Sequence, residues 1–81
     1  MDEKKVFDDV VAILKPFVKN QEALATVAME TSILKDLKVN SARLVDVVLE
    51  MEDKFGIEVK DEDADKVKTV GDAVKLILAK G

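Results

Sequence analysis

The sequence predicts an all-α fold, a small up-and-down four-helix bundle of three longer helices and one short helix, with a long loop between helices 1 and 2. Apolar side chains recur at steps of three and four residues in three stretches, whereas strand-like alternation is confined to a short run near Ile57. The length of 81 residues allows a single domain, 1–81, with a modest core.

The first helix is predicted over residues 3–15. Asp2 stands where an N-cap is favoured. Pro16 cannot donate a backbone hydrogen bond and crowds the preceding turn, so the helix either ends near Lys15 or kinks there and finishes by Lys19. The two apolar rows are Val6, Val10, Ile13, Leu14 and Phe17, and Phe7, Val11, Leu14 and Val18.

The stretch 19–39 is a long connection for so small a domain. Its apolar residues show no clear period, so we predict a loop that runs back along two roughly antiparallel helices. A short helical turn is expected at residues 32–36. This turn should place Ile33, Leu34 and Leu37 in the core.

Residues 41–55 are predicted to form the second long helix, opened by the polar pair Asn40 and Ser41. At about 100° per residue, apolar side chains cover an arc of roughly 200°. One core face needs less than this, so part of the arc should line a groove or an exposed contact patch. Glu52 is the only charge inside the arc. The arc comprises Val47, Met51, Leu44, Phe55, Val48, Val45 and Leu49.

The remainder of the chain supplies the short helix and the last long helix. Gly56 stands where a left-handed helix terminator is expected, and residues 57–60 form a short extended link. Asp61 is predicted to cap a brief helix, residues 62–67. Thr69 begins the last helix with a weak capping box closed by Asp72. Its buried stripe is Val70, Ala73, Val74, Ile77 and Leu78.

Composition excludes several function classes. The chain lacks both cysteine and histidine, which removes disulfides, thiolate metal sites and the commonest general base. A net charge of −4, from 17 acids and 13 bases, and the absence of Trp and Tyr disfavour nucleic acid as a partner. No apolar run has the length of a membrane span, and residues 1–5 lead into helical periodicity rather than a signal-peptide core. We expect a cytoplasmic, monomeric protein.

Ser41 is the candidate functional residue. From position alone, a serine at a helix start is more often an N-cap. If Asn40 is the cap instead, Ser41 is left to point outward. Without a histidine to activate it or a Gly-x-Ser-x-Gly elbow around it, Ser41 is a poor catalytic nucleophile. Its hydroxyl suits a different role, that of an attachment point modified by another enzyme.

The run from Leu34 to Ile77 resembles an acyl carrier protein. That family carries Asp-Ser-Leu at the start of its second helix, then Val-Glu-Leu-type residues, an acidic segment ending in Phe-Gly-Ile-Glu-Ile, an acid-rich cap and Thr-Val-Gly-Asp-Ala-Ile. The match covers more than half of the chain without a gap. The corresponding stretches here are 34–37 (LKDL), 40–42 (NSA), 44–48 (LVDVV), 52–59 (EDKFGIEV), 61–67 (DEDADKV) and 69–74 (TVGDAV).

The resemblance implies that Ser41 receives a 4'-phosphopantetheine group from coenzyme A through a phosphodiester. The thiol of that group would hold acyl intermediates as thioesters for fatty acid, lipid or related polyketide biosynthesis, with no catalysis by the carrier itself. Growing chains in the family fold back between the helices. The candidate lining residues, for which ordinary core packing is the alternative, are Val45, Val47, Met51, Val59, Val67 and Ala73.

The expected partners are a phosphopantetheinyl transferase and acyl-transferring or chain-elongating enzymes with basic docking surfaces. The docking residues would be Asn40, Ala42, Arg43, Asp46, Glu50, Glu52 and Asp53, although the acids among them could equally form an ordinary solvated helix face. This sequence has Asn40 for the family's Asp, Ala42 for Leu and Lys38 for Gly, and it adds the positive charges of Arg43 and Lys54. These departures suggest a specialised, divergent carrier. The alternative function is a carrier-fold interaction module that is not phosphopantetheinylated.

The acids Asp61, Asp63 and Asp65 have the spacing of a calcium-loop opening. The Gly expected at the sixth place of such a loop is Lys66, and its twelfth place is Asp72 rather than Glu. We therefore reject an EF-hand and predict no metal site. Weak divalent-cation binding to these clustered acids is the alternative.

Overall fold

A computed structural model describes residues 2–80; Met1 and Gly81, the ends of the predicted domain, lie outside the described residues. It confirms the all-α prediction. The helices are α1 (Glu3–Leu14), α2 (Leu44–Phe55), α3 (Asp61–Ala64) and α4 (Val70–Lys80), and shorter 3-10 helices span Lys15–Phe17, Gln21–Thr26 and Ser41–Arg43.

Both ends of α1 lie where the sequence predicts them. The Asp2 carboxylate accepts a hydrogen bond from the backbone N–H of Lys4 at 3.1 Å, so Asp2 is the N-cap. The α-helix ends at Leu14, and the 3-10 helix Lys15–Phe17 that follows contains Pro16. Proline therefore tightens the last turn, as expected from its missing N–H.

The core is entirely apolar in residues 2–80. It is built mainly from branched aliphatic side chains on all three long helices and on the connections between them. None of its members exceeds 7% exposure. Burial on this scale is the main stabilising term in so small a fold. The core residues are Val6, Val10, Leu14, Val18, Ile33, Leu37, Val39, Val47, Val48, Met51, Val67, Val70, Ala73, Val74 and Ile77.

The long connection is fixed to the start of α4 by backbone hydrogen bonds. Gly71 N–H donates to Met29 O at 2.7 Å, and Val70 N–H donates to Thr31 O at 3.0 Å. Ile33 N–H donates to Lys68 O at 3.0 Å. A Cβ at Gly71 would lie 2.7 Å from the Met29 carbonyl oxygen, so only glycine permits this approach.

Two sequence predictions need correction, one in the long connection and one in the short helix. The turn at residues 32–36 exists, since Asp36 N–H donates to Ser32 O at 3.0 Å, and Ile33 and Leu37 are buried, but Leu34 is 40% exposed. The backbone bond between Ile33 and Lys68 turns Ile33 inward, which leaves its neighbour Leu34 facing outward.

The second correction concerns the short helix. Asp61 is its first residue rather than its cap; the N-cap is Lys60, which makes no side-chain capping bond. The α-helix stops at Ala64 instead of Val67. The chain continues in 3-10-type turns, in which Val67 N–H donates to Ala64 O at 3.1 Å.

In the part of the chain that the structure describes, two residues adopt a left-handed backbone conformation. Gly56, with φ 63°, ends α2 as predicted. Lys38, with φ 58°, lies between Leu37 and Val39, which are both buried. The left-handed turn at Lys38 allows both neighbours to reach the core, in a conformation that glycine adopts with the least strain.

Candidate functional site

Ser41 lies exposed on the first turn of the segment that leads into α2. The N-cap is Asn40, whose side-chain oxygen accepts from Ala42 N–H at 2.9 Å, while its carbonyl accepts from Arg43 N–H at 2.8 Å. Of the two capping alternatives from the sequence, the structure selects Asn40. Within residues 2–80 the Ser41 hydroxyl makes no hydrogen bond, so it is available to an external reagent.

A groove of about 360 Å³ adjoins Ser41, between α2, the link after it and α3. This volume is within the usual range for small-molecule sites. Its walls are largely apolar, with charged residues among them. The lining residues are Leu34, Ser41, Leu44, Val45, Val48, Leu49, Glu52, Val59, Asp61, Ala64, Asp65, Val67 and Lys68.

Three large apolar side chains stay exposed around this groove. Val45 is 64% exposed, Leu49 56% and Leu34 40%. The wide apolar arc of α2 is therefore divided: one side packs in the core, and the other faces the groove and solvent.

The predicted acyl-lining residues also fall into two groups. Val45, Val59 and Val67 line the groove. Val47, Met51 and Ala73 are instead core residues, each at most 2% exposed, and do not line it. Contact between an acyl chain and this second group would require the core to open.

The predicted docking residues have different surroundings. Glu50, Asp53, Asn40 and Ala42 are exposed. An ion pair of 3.2 Å joins Arg43 to Asp46, with their side chains 65% and 46% exposed. At that exposure the pair contributes little stability, but it offsets one negative charge beside Ser41.

Glu52 differs from the other predicted docking acids because it is half-buried and turns toward the link after α2. Its carboxylate accepts from Val59 N–H at 3.0 Å. This contact was not predicted from the sequence. The position of Glu52 inside an apolar arc was the available signal that its carboxylate had an internal partner.

The sequence did not identify the α3 side of the groove, formed by Ala64, Asp61 and Asp65. A helix of four residues is too short to show an apolar period. Leu34 and Lys68 were missed for a related reason, because long-range packing brings them to the groove.

The acids of α3 do not assemble a metal site. Among residues 2–80, no group of three or more His, Cys, Asp or Glu side chains is arranged to hold a metal ion. Asp63 is bonded instead to Lys80, with Oδ2 and Nζ 3.0 Å apart. The hydrogen bond from Lys80 lowers the pKa of Asp63 below its ordinary value.

No helix within residues 2–80 combines the length and apolar character needed to cross a membrane.

Comparisons with known proteins identify related chains along nearly the whole length. A family model described as the phosphopantetheine attachment site matches residues 17–77. The acyl carrier protein of Helicobacter acinonychis (strain Sheeba) is 40% identical over 72 residues, covering 89% of this chain and 90% of the relative. That of Lactobacillus acidophilus is 35% identical over 78 residues, covering 95% and 94%. A solved structure of the acyl carrier protein from Enterococcus faecalis, 34% identical, superposes with a TM-score of 0.81 and full coverage of both chains.

Proposed function

The chain belongs to the acyl carrier protein family, and we propose that Ser41 is the residue to which its 4'-phosphopantetheine group is attached. Acyl carrier function in fatty acid biosynthesis and the phosphopantetheine cofactor follow from the family. The remaining questions concern which residues of this chain carry the group, shelter the acyl chain and meet the partner enzymes.

The exposure of Ser41 carries this proposal. Since Asn40 caps the turn, the Ser41 hydroxyl is not needed to satisfy a backbone N–H. It also adjoins an apolar groove. A carrier needs a hydroxyl that a modifying enzyme can reach and an apolar surface that can shelter an acyl chain. Ser41 and the groove beside it fit both requirements.

The attachment chemistry requires a partner enzyme, because the sequence contains no histidine to activate the serine. In the proposed step, Ser41 Oγ attacks the β-phosphate of coenzyme A, a phosphodiester forms, the serine proton passes to a base of the transferase and the 3',5'-bisphosphate of adenosine leaves. Once attached, the group supplies a terminal thiol that carries acyl chains as thioesters. We propose that this chain has no catalytic residue of its own.

Intact-mass measurement after incubation with coenzyme A and a broad phosphopantetheinyl transferase tests the assignment. The wild type should gain one phosphopantetheine, and Ser41→Ala should gain none. Ser32→Ala is a matched control, because Ser32 is the other serine of the chain and its hydroxyl accepts from Lys35 N–H at 3.1 Å. A gain that survives in Ser41→Ala, or no gain in the wild type, would contradict the proposal.

We propose that the groove shelters the first part of the acyl chain. Val45, Val59 and Val67 form apolar wall beside Ser41, and apolar burial there is favourable. Val47, Met51 and Ala73 lie in the core and would meet a longer chain only if the helices separated. An isotope-labelled acyl chain should therefore give NOE contacts to Val45 before it gives any to Met51.

Partner enzymes are proposed to dock on the exposed sides of α2 and of the 3-10 turn before it. The docking residues are Asn40, Ala42, Arg43, Asp46, Glu50 and Asp53. The carboxylates of Glu50 and Asp53 suit basic residues of a partner, whereas the Arg43–Asp46 pair presents both charges. This mixed surface supports a specialised carrier with dedicated partners. Raising the salt concentration should slow association, and salt-independent association would contradict this docking mode.

We further propose that the protein works in the cytoplasm as a monomer. The absence of cysteine agrees with a reducing compartment, where the borrowed thiol would remain reactive. Subcellular fractionation of the source cell, followed by tryptic digestion and detection of the phosphopantetheine-bearing peptide in each fraction, would test the location.

A further inference from the structure

Glu52 has a position that neither core packing nor partner docking explains. It lies inside the apolar arc of α2, is half-buried, and lines the groove. Its carboxylate accepts from Val59 N–H at 3.0 Å, and Val59 lines the same groove. A partly buried carboxylate is costly unless it is hydrogen-bonded, and a bond to a charged acceptor is stronger than a neutral one.

Glu52 holds the link after α2 through two groups. Its backbone carbonyl accepts from the N–H of Gly56 and, at 3.2 Å, from that of Ile57. Its side chain accepts from Val59 N–H two residues further on. Together these bonds fold the link back along α2, the helix that follows Ser41.

The groove wall beyond Val59 has few other polar restraints. The N-cap of α3, Lys60, makes no side-chain capping bond, and α3 itself has only four residues. Within residues 2–80, the ion pair that α3 makes is between Lys80 and Asp63, a residue that does not line the groove. Val59 and Ala64 also pack against the core, and Val67 is buried in it, so the Glu52 carboxylate supplies the polar contact that fixes the wall next to α2.

We infer that Glu52 is a positioning residue that holds Val59 against α2 and so limits the length of acyl chain that the groove shelters. The inference rests on the proposed function of the groove as the acyl-chain site. Without the carboxylate, Val59 and α3 can move outward and the groove can accept a longer chain. Glu52 is thus a determinant of cargo length in this chain, rather than a docking acid.

The test uses the holo-protein loaded with either a hexanoyl or a dodecanoyl chain. Hydroxylamine cleavage of the thioester reports how well each chain is sheltered. In Glu52→Ala, the ratio of the dodecanoyl to the hexanoyl cleavage rate should fall about fivefold, the factor expected when one hydrogen bond no longer opposes opening. Glu52→Gln keeps a side-chain oxygen acceptor and should retain the wild-type ratio.

Two further variants separate this role from general stability. Glu58→Ala removes an exposed carboxylate from the same link, at a residue that neither lines the groove nor belongs to the proposed docking surface, and should leave the ratio unchanged. Glu52→Asp, whose shorter side chain withdraws the acceptor from Val59 N–H, should shift the ratio as Glu52→Ala does, with a smaller effect on packing. Hydrogen exchange of the Val59 amide should accelerate in the Ala and Asp variants only.

The inference would be overturned if the rate ratio shifted equally in Glu52→Ala and Glu58→Ala. It would also be overturned if the ratio in Glu52→Ala did not shift although Val59 exchange became faster. A role in stability alone would lower the Tm and raise both cleavage rates in proportion, which also overturns it. If the wild type cannot be loaded by the transferase, the proposed function itself fails. If the wild type is loaded but the rate ratio in Glu52→Ala does not shift, only the positioning role of Glu52 is refuted.

Discussion

The two connections that leave the ends of α1 and α2 are held in different ways. The first, residues 18–40, is long but is tied to the start of α4 by backbone bonds, including those from Gly71 to Met29 and from Val70 to Thr31. The second, residues 56–69, is shorter. Its end is also fixed, through the backbone bond from Ile33 to Lys68 and the buried Val67, but its middle is held by side chains: Glu52 holds Val59, and Lys80 holds Asp63.

The length of a connection therefore does not determine how firmly it is held to the rest of the fold. Backbone bonds and buried residues such as Ile33 and Leu37 make the first connection part of the core. The second forms a wall of the groove beside Ser41, which we propose shelters the acyl chain. Regions that move in function are drawn from the less stable parts of a fold.

The largest expected effect is at the joint between the first connection and α4. Gly71→Ala places a Cβ 2.7 Å from the Met29 carbonyl oxygen, which also accepts the Gly71 N–H bond. We expect the free energy of unfolding to fall by about 3 kcal/mol. Urea unfolding measures this change.

The matched control is Gly56→Ala, since a Cβ at Gly56 meets no atom within 4 Å. There the cost is only that of the left-handed backbone, about 1 kcal/mol. If the two alanine variants are equally stable, the first connection is not held as tightly as the backbone bonds indicate.

The second largest effect on stability is expected for the capping box at the start of α4. The Asp72 carboxylate accepts from the N–H groups of Lys68 and Thr69, each at 3.1 Å, and the Thr69 hydroxyl accepts from Asp72 N–H at 3.1 Å. Asp72→Ala should lower stability by about 1.5 kcal/mol at neutral pH. Asp53→Ala, an exposed acid of α2, should change it much less.

The effect of Asp72→Ala should depend on pH. Partial burial raises the pKa of Asp72, but the hydrogen bonds from Lys68 and Thr69 outweigh it and hold the pKa below its ordinary value of 3.8. The folded state therefore binds this proton less readily than the unfolded state, so the contribution is complete above that value and is lost as the pH falls through and below it. Urea unfolding of both proteins should converge at acid pH; a constant difference would contradict the capping role.

A smaller effect of opposite sign is expected at Lys38. Its φ of 58° strains any residue with a Cβ, and glycine removes the strain. After the greater entropy of glycine in the unfolded state is subtracted, Lys38→Gly should stabilise the protein by about 0.5 kcal/mol. Lys35→Gly, in the same connection but without a positive φ, should destabilise it. A loss of stability in Lys38→Gly would show that the lysine side chain itself contributes.

The parts of the fold that were predictable have local causes. The periodicity of apolar residues predicted the long helices, and Pro16 predicted the end of α1. Gly56 predicted the end of α2, and the pairing of Thr69 with Asp72 predicted the start of α4. Each of these depends on residues within about one turn of one another, so the sequence contains the whole interaction.

The parts that were missed depend on distant residues. Residues 21–26 form a 3-10 helix with no apolar period, and Leu34 faces outward because Ile33 is bonded to Lys68. At the candidate site the wide arc of α2 predicted a groove, but it could not separate Val45 from Val47. That division depends on where α3 lies, and a four-residue helix leaves no periodic signal.

The smallest expected effect belongs to the second connection. Lys80→Ala removes the ion pair with Asp63, whose side chains are 29% and 23% exposed. The hydrogen bond from Lys80 lowers the pKa of Asp63 below its ordinary value of 3.8, so the pair is complete above that pH and is lost as the pH falls below it. Because the pair holds only a four-residue helix, its removal should leave the global Tm almost unchanged and accelerate hydrogen exchange of the Asp65 amide, which donates to Asp61 O at 3.0 Å.

High salt and a second lysine variant complete this last experiment. Raising the salt concentration should narrow the difference in Asp65 exchange between the wild type and Lys80→Ala, because screening weakens a partly exposed ion pair. Lys75→Ala, at an exposed position of α4, should leave the Asp65 amide unaffected. Should Lys80→Ala lower the Tm as much as Gly71→Ala, the second connection would be as integral to the core as the first, and α3 could not serve as a movable wall.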